Sequence, residues 1–90
     1  MAGYRVLIKS SAGRELERLG SKADRARLVD RILALAADPR PRGCEKLAGY
    51  SDRFRIRQGN YRVVYLVDDQ LREVTVFKVG DRKDIYRQVV

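Results

Sequence analysis

The sequence predicts an α+β domain: an N-terminal strand, a helical hairpin, then an antiparallel β-meander. Three observations carry this. Residues 4–9 alternate in polarity, apolar positions from Ala12 to Ala36 recur at helical spacing, and β-like runs follow one another across short turns between Arg53 and Val79. Helices at one end and strands at the other give segregated layers, with both helices expected on one sheet face and the other face open.

In the first strand, Tyr4, Val6 and Ile8 share one side and Arg5, Leu7 and Lys9 the other. Ser10 and Ser11 offer an N-cap, and Ala12, Leu16 and Leu19 then form the apolar stripe of a short helix that stops at Gly20. Ser21 and Asp24 have capping-box spacing. The second helix carries two adjacent apolar rows, Leu28/Ile32/Leu35 and Val29/Leu33/Ala36, expected together to cover a sheet, with Arg25, Arg27, Asp30 and Arg31 mainly off that stripe. Pro39 and Pro41 end it, because proline disfavours helical geometry in the residue before it. The strands follow as Arg53–Arg57, Tyr61–Val67 and Arg72–Val79. Gly59-Asn60 suits a primed two-residue hairpin loop, and Asp68-Asp69-Gln70 a second turn.

The 90 residues form a single domain, 1–90, with one core. At 44% hydrophobic residues the chain can fold, which excludes a disordered basic tail. A lone Cys44 permits no intrachain disulfide, and without histidine no ordinary zinc or copper ligand set exists, so no metal or cofactor is expected. No apolar run approaches the length of a membrane span, and no signal-peptide core opens the sequence; the expected location is the cytoplasm, with no membrane partner. Twenty Lys and Arg against 12 Asp and Glu leave a net charge of +8, which calls for a polyanion such as nucleic acid, or for an acidic protein.

If Gly59-Asn60 is the hairpin tip, Arg57 faces Arg62, Arg55 faces Val64 and Arg53 faces Leu66. One side then shows Arg53, Arg55, Arg57 and Arg62; the other shows Phe54, Ile56, Val63, Tyr65 and Val67. Opposed like charges cost a strand pair up to about 1 kcal/mol. A solvated basic face would have no reason to keep that repulsion. A phosphate site would, because guanidinium offers a planar fork of donors.

The run KLAGYSDRFRIRQGNYRVVYLVDD, followed by VFKVGDRKDIYR, resembles the signature half of RelE-type toxins, and the strand, two helices and proline-bearing segment before it agree. The resemblance covers nearly the whole chain. It implies a microbial-ribonuclease-type fold and a ribosome-dependent endoribonuclease that cuts messenger RNA in the A site. It also implies an acidic, partly disordered RelB-like antitoxin as partner, beside the ribosome and its message, with operator DNA met only through the antitoxin complex. Carried over residue by residue, the catalytic positions fall on Arg55, Arg57, Arg62, Arg82 and Tyr86; the nearby cations Arg53, Lys78, Lys83 and Arg87 are expected to add RNA contacts. The best-studied branch has lysines where this chain has Arg55 and Arg57; arginine effectively cannot lose its proton, so a lysine's role as general base is not copied here. In this pattern Arg55, Arg57 and Arg62 grip the scissile phosphate, Arg82 sits near the leaving oxygen, and Tyr86 serves as base or stacks on a nucleobase. Two rivals remain. ParE toxins share the fold and the Y-R-V-x-Y pattern yet inhibit DNA gyrase by binding, and a nucleic-acid-binding module without catalysis would keep the same charges.

Overall fold

A computed structural model describes residues 3–81. The chain runs β1 (Arg5–Ile8), α1 (Ser10–Glu17), α2 (Lys22–Ala34), β2 (Glu45–Lys46), β3 (Arg53–Gln58), β4 (Tyr61–Asp68) and β5 (Glu73–Asp81). The strands form one sheet in the order β1-β5-β4-β3-β2. Neighbours pair antiparallel except β1, which lies parallel to β5 with Val6 beside Val74. The α+β class and the order of elements are those the amino-acid pattern predicts, except for the two-residue β2, which it does not.

Capping differs between the helices. Ser21 caps α2 by accepting from the Asp24 amide at 3.2 Å, as its spacing predicts. Ser10 and Ser11 do not cap α1: the N-cap is Lys9, with no side-chain hydrogen bond, because β1 runs directly into the helix. The helix also ends earlier, at Glu17 with Arg18 as C-cap, three residues short of the expected stop at Gly20.

The core lies between the helices and one sheet face. Ala12 and Leu16 from α1, with Leu28, Ile32 and Leu35 from α2, pack on Phe54, Ile56, Val63, Tyr65, Val67, Val74, Val76 and Val79. Every residue assigned to the apolar side of the hairpin is buried. The stripe on α2 is narrower than expected. Leu33 is 58% exposed, since a helix lying on a sheet presents only its innermost row, and the Val29/Leu33/Ala36 row falls to the flank. Ile8, at the end of the edge strand, is also exposed.

Tyr65 joins the layers. Its ring stacks on Phe54 at 6.0 Å between centroids, and its hydroxyl donates to the Pro39 carbonyl at 2.8 Å, tying the exit of α2 to the middle of the sheet. Burial pushes its phenol well above the usual range, so it stays a donor.

A register shift interrupts the β4–β5 pair. Val64 faces Lys78 and Tyr65 faces Val76, which leaves Phe77 with no opposite residue. The bulge restores the apolar pattern: strict alternation after Val74 and Val76 would aim Lys78 at the core, whereas one extra residue brings Val79 inward. Past Val76, where β1 has ended, the Val79 amide donates to the Glu15 carboxylate of α1 at 3.0 Å, so a side chain takes over the edge that β1 covers elsewhere.

Candidate functional site

The hairpin fixes the geometry of the other face. Gly59 takes φ 62° at the first central position, as a primed turn requires, and Gln58 pairs with Tyr61. From that turn the register runs Arg57 opposite Arg62, Arg55 opposite Val64 and Arg53 opposite Leu66, matching the sequence prediction pair for pair. Facing residues share a side, so Arg53, Arg55, Arg57 and Arg62 stand on the face away from the helices.

Continued across the sheet, these pairs form rows. Arg57 and Arg62 are continued by Gly80; Arg55 and Val64 are flanked by Glu45 and Lys78; Arg53 and Leu66 are continued by Thr75 and Leu7. Exposure varies along them. Arg57 is exposed and Arg55 half-buried, whereas Arg62 is only 5% exposed and Val64 is buried. The face is thus less open than the sequence implied, because β4 is the middle strand and has neighbours on both sides.

Glu45 reports the local field. Its carboxylate accepts from Arg55 Nε at 3.0 Å, and that hydrogen bond, with the charges of Arg55, Arg62 and Arg57, holds its acid below the usual carboxylate range. The register thus places Arg55, Arg57 and Arg62 on one face beside β2, with Glu45 paired to Arg55. The sequence reading missed this residue, because a two-residue strand has no periodicity to detect. Arg53 stands further along the face, its guanidinium 4.3 Å over the Tyr50 ring and 5.5 Å from Phe77. These are cation–π distances that the composition did not signal.

The remaining predicted positions divide into two groups. Lys78 lies in a row with Arg55, but its ammonium is bound to Glu15 of α1, which makes it an edge contact rather than a free cation of the site. Arg82, Lys83, Tyr86 and Arg87 lie outside the described residues. What the described geometry offers is a fixed cluster of cations without a histidine beside it: suited to binding a phosphate and stabilising added charge on it, less to exchanging protons.

A family model described as "ParE toxin of type II toxin-antitoxin system, parDE" matches residues 6–86. The toxin RelG of Mycobacterium tuberculosis is 29% identical over 94% of this chain and 98% of its own length. The toxin RelE of the same organism is 31% identical over 93% of this chain and 87% of its own. Among solved structures, the archaeal RelE–RelB complex from Pyrococcus horikoshii superposes with a TM-score of 0.79 at 32% identity, covering 91% of this chain and 97% of the matched one. Near-complete coverage in both directions, a shared fold and the arginine-bearing hairpin lead to one conclusion: the chain belongs to the RelE/ParE family of toxins from type II toxin–antitoxin systems.

Proposed function

We propose that this toxin is a ribosome-dependent endoribonuclease that cuts messenger RNA by attack of a 2′-hydroxyl on the adjacent phosphate. In that step the 2′-oxygen loses its proton and bonds to phosphorus, the bond to the 5′-oxygen breaks, and the leaving oxygen takes a proton. Arg57 and Arg62, facing each other at the hairpin end, hold the two non-bridging oxygens and stabilise the charge of the phosphorane. Arg55, oriented by Glu45, holds the neighbouring phosphate. Arg82 would donate to the leaving oxygen, and Tyr86 would take the 2′ proton or stack on a base. The observation that carries the reading is the register that sets Arg57 opposite Arg62 with Arg55 on the same face of the sheet. Water is not the nucleophile in this step; it supplies the proton that the leaving oxygen takes, while Arg82 would hold that oxygen by a hydrogen bond.

The partner follows from charge and kinship. The P. horikoshii relative was solved with RelB. For this chain, at +8, an acidic antitoxin that orders on contact would cover the cationic face and restrain it.

A second reading rests on the family model that bears the ParE name: inhibition of DNA gyrase by binding, without cleavage. Primer extension on ribosome-bound message, run beside a gyrase supercoiling assay, separates the two. Cuts within the A-site codon and unimpaired supercoiling are expected; inhibited supercoiling with intact message would establish the ParE-type activity instead. Arg82→Ala is expected to abolish cleavage while leaving the fold and antitoxin binding intact, and full cleavage by that variant would remove Arg82 from the mechanism.

A further inference from the structure

Beyond Arg55, the open face changes character. A pocket of about 300 Å³ lies there, lined by Lys9, Arg53, Leu66, Thr75 and Phe77. Phe77 belongs to no part of the buried core cluster, and the bulge leaves no β4 residue opposite it. Bulges recur beside functional sites, where they re-aim side chains or open the ladder. Arg53 stacks between Tyr50 and Phe77, its ion pair to Asp52 is long at 4.0 Å, and Tyr50 is 40% exposed.

An aromatic ring, a stacked guanidinium and a hydroxyl in one small concavity are what an unstacked nucleobase requires: a π surface for its ring and donors for its edge. Distance agrees. Arg53 and Arg57 are separated by four residues of extended strand, roughly 13 Å, within reach of a dinucleotide. Resting on the nuclease reading above, the geometry points to this pocket as the seat of one nucleobase of the message, a short way along the strand from the cleaved linkage. Phe77 is its stacking platform, which seats the base with its edge toward the Arg53 guanidinium and the Thr75 hydroxyl, and those polar groups set base preference there. The arginine cluster reads phosphate and carries no sequence information; the pocket supplies it.

The test uses full-length toxin and programmed ribosomes carrying messages that vary at successive single positions around the cut. Wild-type toxin is expected to discriminate among bases at one position by about tenfold, the scale of a single hydrogen bond from a charged donor to a base edge. Phe77→Ala is expected to reduce that discrimination to less than about twofold, while Phe77→Tyr, which keeps a ring, retains it. Phe77→Leu keeps bulk without a π face and serves where the alanine variant does not fold; it too should cleave without preference. Unchanged preference in the leucine or alanine variant, or an indifferent wild type, overturns the pocket alone. Unchanged preference with weakened antitoxin binding overturns it as well and assigns the surface to the antitoxin. A wild type that leaves message intact and inhibits gyrase removes the nuclease reading itself, a different failure from the first two.

Discussion

The two sides of strands β3 and β4 are built from alternate residues of the same segments, yet they follow opposite rules. Toward the helices, Phe54, Ile56, Val63, Tyr65 and Val67 are buried among apolar neighbours. On the reverse side Arg57 directly opposes Arg62, with Arg55 on the same patch. The first side is arranged as stability alone would arrange it. The second sets like charges on facing positions, an arrangement that stability alone does not favour, and we propose that it is kept for an external anion.

The contrast can be broken or sharpened by substitution. The largest effect on folding is expected from the helix side. Ile32→Ala, at a fully buried position, should lower the unfolding free energy by about 2–5 kcal/mol in urea titrations. Tyr65→Phe should cost about 1–3 kcal/mol, because the buried Pro39 carbonyl loses its donor, without changing the behaviour of the arginine patch. On the open side the sign should reverse. Arg57→Thr relieves the opposed pair and should raise stability by a few tenths to about 1 kcal/mol, read by the same titration. A loss as large as the core substitutions would mean the arginines are structural.

The smallest effect concerns acid. Asp69 accepts from Arg40 at 2.6 Å and from Tyr4 at 2.5 Å, and these bonds hold its acid below the ordinary range. Glu45 is lowered likewise by Arg55. With folded-state values below the unfolded ones, the contribution is complete above the ordinary carboxylate pKa of about 4 and lost as pH falls through the folded-state values. Stability should therefore decline on the acid side, and Asp69→Asn should flatten that decline slightly. A profile unchanged by the substitution would show that the Asp69 contacts carry no folding free energy.

How much was legible depended on how local the determinants are. The β3–β4 register followed from one dipeptide, since a two-residue loop with glycine at its positive-φ position leaves the strands no other alignment. The parallel docking of β1 on β5 was not legible, because it joins residues almost 70 positions apart with no turn between them to set it. Nor was the bulge at Phe77, which arises where strict alternation would bury Lys78. That single extra residue leaves Phe77 without a β4 partner, which strict alternation gives no sign of. Of the site itself, charge and hairpin chemistry revealed the four arginines, but not Glu45, whose position depends on a strand only two residues long.

The most direct test of the arginine patch is single-turnover cleavage of ribosome-bound message by wild-type toxin, Arg57→Ala and Arg62→Ala, with folding checked on the same preparations. Each variant should lose about 10²- to 10³-fold in rate, the usual consequence of removing one preorganised donor from a developing oxyanion, in preparations that remain folded. Wild-type rates in both folded variants would contradict the account.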